Sequence, residues 1–162
     1  MVVIGPAEAV MCQADYRDLY PEGVTERVAA NAYGVCEYLD TFRLDEGLSL
    51  SADSEPLAYH GHCHQKATAK DHHAVGVLAR AGYEIEPLDS GCCGMAGSFG
   101  YEAEHGSMSD AIARILYGQL DDSSADRVVA PGASCRTKLH NREGVDEEPP
   151  TTIELLAEAL ER

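Results

Sequence analysis

Asp89-Ser90-Gly91-Cys92-Cys93-Gly94-Met95-Ala96-Gly97-Ser98-Phe99-Gly100 is the stretch on which the reading of this chain turns. Two adjacent cysteines stand inside a run holding four glycines. Glycine permits positive φ and close backbone approach, so two thiols on such a loop can face one shared object. Ordinary core packing rarely needs that arrangement. Upstream, Tyr83-Glu84-Ile85-Glu86-Pro87-Leu88 alternates roughly as a strand. Downstream, a helix is expected from about Ser107, with Ser107 or Ser109 as its cap and Ile112, Ile115 and Leu116 on its face. The cysteine pair therefore belongs where a strand gives way to a helix.

The same pattern recurs on either side. Leu57-Ala58-Tyr59-His60 reads as a strand, Gly61-His62-Cys63-His64-Gln65 follows it, and a helix is expected from about Gln65 to Arg80, stopped by Gly82. Asp126-Arg127-Val128-Val129-Ala130 reads as another strand, closed by Pro131-Gly132-Ala133-Ser134-Cys135 and followed by a short helix to about Asn141. Near the start, Val2-Val3-Ile4 is a short strand and Ala7 to about Tyr20 helical. Pro21-Glu22-Gly23 punctuates, Val24 to about Leu44 is expected as one longer helix, and Asp45 to Pro56 as a polar linker. Thr151 with Glu154 forms a capping-box pattern before a last helix carrying Ile153, Leu156 and Leu160 on one face.

Strand–helix alternation repeated four times predicts an α/β fold: a three-layer parallel sheet of about four strands with helices on both faces. Right-handed crossovers point all the strands one way. Cys63, Cys92, Cys93 and Cys135 each follow a strand, so they should gather at the carboxyl edge of the sheet, where open α/β sheets bind ligands.

The chain has 162 residues, 44% hydrophobic and 25% charged, which suits a globular domain with a real core. Acidic residues number 28 against 12 basic ones, a net charge of −16. Such a surface repels nucleic acid and anionic membranes. It reads as a solvated, high-salt surface, with an acidic docking face as the alternative. The start has no basic segment before an apolar run, and no stretch approaches the ~18 apolar residues of a membrane helix. A reduced, cytoplasmic setting is expected, where six cysteines suggest metal or redox chemistry more than disulfides.

Four thiols at one sheet edge, among glycine-turn N–H groups, suit a soft metal centre such as an iron–sulfur cluster. Zinc is the nearest rival, held by three cysteines with His62 or His64. A thiol catalyst is weaker, because the chain has no Cys-x-x-Cys motif. His60, His62 and His64 alternate, and each could serve as ligand, proton carrier or hydrogen-bond partner of a sulfur; individually they read as supporting groups behind the ligands. Cys12 and Cys36 read as small buried residues and His72-His73 as helix surface. Asp89, Ser90 and Ser134 read as turn formers, and Arg136 and Lys138 as either charge partners of the site or solvated surface.

His60-Gly61-His62-Cys63-His64-Gln65-Lys66-Ala67, the Asp89 to Glu102 stretch and Gly132-Ala133-Ser134-Cys135-Arg136 together resemble a known pattern. It is that of the cysteine-rich CCG domain of iron–sulfur oxidoreductases. These include the iron–sulfur protein of glycolate oxidase, the C component of anaerobic glycerol-3-phosphate dehydrogenase and the B component of heterodisulfide reductase. The match looks closest to the C-terminal part of FAD-linked oxidase/Fe–S fusion proteins acting on D-lactate or D-2-hydroxyglutarate. The resemblance implies an iron–sulfur cluster, 4Fe-4S in kind, relaying electrons from FAD in a D-2-hydroxy-acid (lactate, glycolate or 2-hydroxyglutarate) dehydrogenase. It implies a flavoprotein domain or subunit as partner, FAD carried outside this chain, no hydroxy-acid oxidation by the chain alone, and membrane association only through partners.

The family pattern carries two cysteine-rich repeats. Here residues 1–48 resemble only the closing part of a first repeat, with Ala7-Glu8 where a cysteine is expected; 49–56 is a linker; 57–162 resembles a whole repeat. A split subunit, a truncated gene or an excised fragment is the expectation. Where the fuller motif ends in Cys-x-x-Cys, this chain has Cys135-Arg136-Thr137-Lys138. The expected ligand set is therefore Cys63, Cys92, Cys93 and Cys135, and a zinc-binding or metal-free structural or docking module is the alternative.

Overall fold

A computed structural model describes residues 1–20, 23–54 and 56–160; the expected break at Pro21-Glu22 lies outside them. In chain order the elements are β1 (Val2–Val3), α1 (Pro6–Val10), a π-helical turn (Met11–Asp15), α2 (Tyr16–Leu19), α3 (Val24–Ala29), β2 (Tyr33–Gly34) and α4 (Val35–Phe42). Then come β3 (Pro56–Tyr59), α5 (Cys63–Ala67), α6 (His72–Ala81), β4 (Glu84–Pro87), α7 (Gly106–Asp122), β5 (Arg127–Val129), α8 (Ala133–His140) and α9 (Thr152–Leu160).

The α/β architecture with all-parallel pairing is as expected, but its strands form two sheets rather than one of about four. β1 pairs with β2, and a separate sheet runs in the order β4-β3-β5. β3 is the central strand of that sheet. Its side chains alternate between faces. Leu57 and Tyr59, both almost fully buried, join Val77 and Leu78 of α6, Leu155 and Ala159 of α9 and Cys36 of α4. Ala58 faces the other way, into Leu116 of α7 and Leu139 of α8 with Leu88 and Met95. Burying each such leucine stabilises by roughly 1.5–3 kcal/mol, so both helical layers are held to one four-residue strand.

Three local expectations are corrected. The single helix over Val24 to Leu44 is interrupted by β2. The Asn31 side chain bonds back to Arg27 O at 2.9 Å as α3 ends, Tyr33 N donates to Met1 O at 3.0 Å, and the Glu37 carboxylate accepts from Gly34 N at 3.1 Å to start α4. A two-residue strand is too short to leave a period in the sequence. The helix expected from Gln65 to Arg80 also breaks. The Thr68 hydroxyl bonds to His64 O and Gln65 O, and Ala69 takes φ +54° before α6 begins. Gly82 does stop α6, at φ +107°. Third, Ser107 and Ser109 do not cap α7, whose N-cap is His105. α9 has the reciprocal Thr151–Glu154 box but buries Thr152, Leu155, Leu156 and Ala159, leaving Leu160 exposed. Among the described residues no helix is long and apolar enough to cross a membrane.

Candidate metal centre

Because β3, β4 and β5 run parallel, the segments leaving their carboxyl ends share one edge. Cys63 opens α5 after β3, Cys92 and Cys93 sit in the loop after β4, and Cys135 lies in the first turn of α8 after β5. All four line one cavity of about 110 Å³, with His62, His64, Ala96, Gly97, Ser134 and, from α1, Ala7. Cys93 and Cys135 are buried; Cys63 and Cys92 are half-buried.

The loop after β4 is shaped by glycine where the sequence suggested. Gly94 holds φ +93°, and a Cβ there would lie 2.2 Å from Ser109 O. Its N–H donates to Cys92 Sγ at 3.3 Å. At Gly132 a Cβ would meet His62 Cδ2 at 2.5 Å and Cys135 Sγ at 3.3 Å, so only glycine lets β5 deliver Cys135 beside the imidazole. Lys66 of α5 ties the loop down, donating to Leu88 O at 2.8 Å and Ser90 O at 2.6 Å. Burial lowers its pKa, against the pull of Asp71 and Asp89.

The three histidines have different surroundings. His62 is the N-cap of α5, its Nδ1 accepting from His64 N at 3.3 Å. Burial, with His64 beside it, pushes it down to about 4, so it is neutral at pH 7. His64 is exposed, its ring edge-on to His62 at 5.2 Å. His60 is fully buried behind the thiols, with Nδ1 2.7 Å from Ser90 Oγ and no hydrogen-bond partner at Nε2. Its ring, Cys93 Sγ and Cys135 Sγ place their ligand atoms within 4.8 Å of one another.

The sulfurs divide their protons unequally. A hydrogen bond from Cys135 and the nearby His60 hold Cys93 low, whereas the same bond and burial push Cys135 up. Burial and the neighbouring cysteines also raise Cys63. Four thiols around one cavity, with a buried imidazole nitrogen left without a partner beside them, fit a thiophilic metal ion or small cluster. The four thiols would hold it.

The four cysteines gather at the sheet edge expected of them, and several neighbours have partners that the sequence does not show. Ser90, read as a turn former, is a buried partner of His60. Lys138 is not solvated: its amine donates to Ser109 Oγ at 3.0 Å and Asp110 Oδ1 at 2.5 Å. Arg136 donates to Pro149 O at 2.6 Å and pairs with Glu148. Cys12 and Cys36 are buried as expected, and His73 is half-buried on Asp40. No pattern marks Ser90 or Lys138, because their partners come from residues 30 and 29 positions away.

Residues 57–140 match the family model described as a cysteine-rich domain, CCG. Among curated proteins, the chain is 31% identical to the C component of the anaerobic glycerol-3-phosphate dehydrogenase of Escherichia coli (strain K12), over 95% of this chain and 40% of that protein. It is 29% identical to the D-2-hydroxyglutarate dehydrogenase of the same organism and 30% identical to that of Pantoea ananatis, each over 89% of this chain and 14% of the relative. The chain thus spans well under half the length of these relatives.

Proposed function

The chain belongs to the cysteine-rich CCG domain family, and from that premise we propose that it is the iron–sulfur electron-transfer module of a flavin-linked dehydrogenase. The ligands on this reading are Cys63, Cys92, Cys93 and Cys135, and the supporting observation is their convergence on one cavity from three strand ends. An iron–sulfur cluster supplies one-electron redox chemistry when bound. The chain's own residues hold and tune it. The Gly94 N–H stabilises negative charge on the Cys92 sulfur. Lys66 fixes the loop and adds a cation near the thiolates. The buried Cys93 and Cys135 keep water from one side.

Substrate oxidation then takes place at FAD on another domain or subunit, with a D-2-hydroxy acid as the substrate class and a quinone or other carrier beyond. The likeness to the D-2-hydroxyglutarate dehydrogenases supports that class. Residues 1–48 are the closing part of a first cysteine-rich repeat, 49–56 the linker and 57–162 the second repeat. The module works in the cytoplasm, and its net charge of −16 suits high salt.

The test is anaerobic purification in high salt, then metal and acid-labile sulfide analysis with a visible spectrum. Iron with sulfide, lost in Cys92→Ser or Cys93→Ser, is the expected result. Zinc without sulfide turns the reading into a structural docking module, and hydroxy-acid turnover by the chain alone overturns it.

A further inference from the structure

We infer that the metal centre is a mixed imidazole–thiolate one, in which His60 Nε2 is a ligand beside Cys93 and Cys135. The inference rests on the reading that this cavity holds metal. An unpaired buried atom points to it. His60 is 0% exposed, and its Nε2 is without a hydrogen-bond partner. Buried polar atoms are nearly always paired, and a site that takes a metal is one explanation for an exception. A ring nitrogen of the same residue lies within 4.8 Å of two sulfurs from different strand ends.

The other ring nitrogen supports the assignment. Nδ1 lies 2.7 Å from Ser90 Oγ. With Nδ1–H donating to that oxygen, the Nε2 lone pair is free and the ring plane is fixed, which is how proteins orient metal-binding histidines. The opposite tautomer, with Ser90 donating, makes Nε2–H a hydrogen-bond donor to sulfur instead. The two arrangements give different spectra.

The cavity's own lining includes two other histidines, His62 and His64. His62 spends its Nδ1 on the α5 cap, and His64 is exposed. Lys138 stands three positions after Cys135, where the fuller motif has its last cysteine, and its amine is held by Ser109 and Asp110. A neutral imidazole in place of a thiolate makes the centre less negative by one charge. The same exchange raises the potential of Rieske centres above that of all-cysteine ferredoxins.

The experiment is pulsed EPR on chain labelled with ¹⁵N-histidine, reconstituted anaerobically with iron and sulfide and reduced, beside a Co²⁺-loaded apo sample. The expected result is the strong coupling of a directly bound nitrogen, absent in His60→Gln and kept in His62→Gln. His60→Cys should retain the cluster at a lower midpoint potential. Ser90→Ala, which keeps the imidazole but frees its ring, should weaken Co²⁺ binding by roughly 10–100-fold, so the assignment stays testable even if His60→Gln does not fold. Iron and sulfide bound with only the weak coupling of an N–H···S contact, or with a nitrogen signal indifferent to His60→Gln, overturn the His60 assignment and leave the electron-transfer reading standing. Uptake of neither iron with sulfide nor Co²⁺ overturns both.

Discussion

Lys66 Nζ donates to the carbonyl of Ser90 at 2.6 Å, joining the first helix after β3 to the loop after β4 that carries the cysteine pair. A second bond from the same amine reaches Leu88 O at 2.8 Å. One cation thus satisfies two carbonyls of the loop and sets the approach of Cys92-Cys93 to Cys63.

Lys66→Met removes both donors while keeping most of the side chain's bulk. Hydrogen bonds from charged groups are worth about 1.5–3 kcal/mol each, less for this half-buried amine. Chemical denaturation should show a loss of about 2 kcal/mol. Metal affinity should fall alongside it, because the loop's two cysteines lose their fixed distance from Cys63.

Gly94 and Gly91 give a matched pair. Gly94→Ala forces a Cβ toward Ser109 O and a side chain into φ +93°, whereas nothing lies within 4 Å of a Cβ at Gly91. Gly94→Ala should cost about 2–4 kcal/mol and abolish metal uptake. Gly91→Ala should stay within about 0.5 kcal/mol of the parent. Equal effects in thermal unfolding would rule out the steric account.

Arg80 ties the segment before β3 to α6. Its Nε donates to Asp45 Oδ2 and its Nη2 to Asp40 Oδ1, both at 2.6 Å, and the Asp45 side chain is 1% exposed. Arg80→Ala leaves that carboxylate buried without its cation, at a cost of about 3 kcal/mol. Arg80→Lys, which cannot reach both aspartates as a fork, should recover only part of it. Urea midpoints of the two variants give the comparison.

Acid should unfold the protein partly through Glu37. Burial raises its pKa, but Lys70 Nζ at 2.6 Å, Gln13 Nε2 at 2.7 Å and Gly34 N outweigh that and hold it below its ordinary value. A carboxyl lowered in the folded state binds its proton more readily when unfolded. Its contribution is therefore complete above the unfolded pKa of about 4.3 and lost as pH falls through the lower folded value. Glu37→Gln should be less stable at pH 7 and show a flatter loss of Tm below about pH 4.

Salt should stabilise the chain. With a net charge of −16 the folded surface repels itself. At about 1 M ionic strength the Debye length shrinks to about 3 Å. Tm should rise steadily from roughly 0.1 to 2 M KCl, and an unchanged Tm would remove the high-salt reading of the acidic surface.

By itself, the sequence determined the elements around each cysteine. The short strand at 57–60, the alternation at 83–88, the glycine run at 91–100 and the Thr151–Glu154 box are short-range patterns, set by side-chain character and backbone freedom within a few residues. Parallel strands then bring Cys63, Cys92, Cys93 and Cys135 to one edge, a topological consequence that spacing alone could carry. Tertiary structure decided the rest. β2 exists because Met1 O accepts from Tyr33 N, a pairing between distant parts of the chain that leaves no local trace. His60, His62 and His64 look equivalent in a line of sequence. Their difference comes from packing: α5 starts at Cys63 and turns His64 to solvent, His62 becomes a cap, and Ser90 from a distant loop fixes His60 behind the thiols. Burial and hydrogen-bond partners belong to neighbours in space, and the chain order of the three histidines carries no information about them.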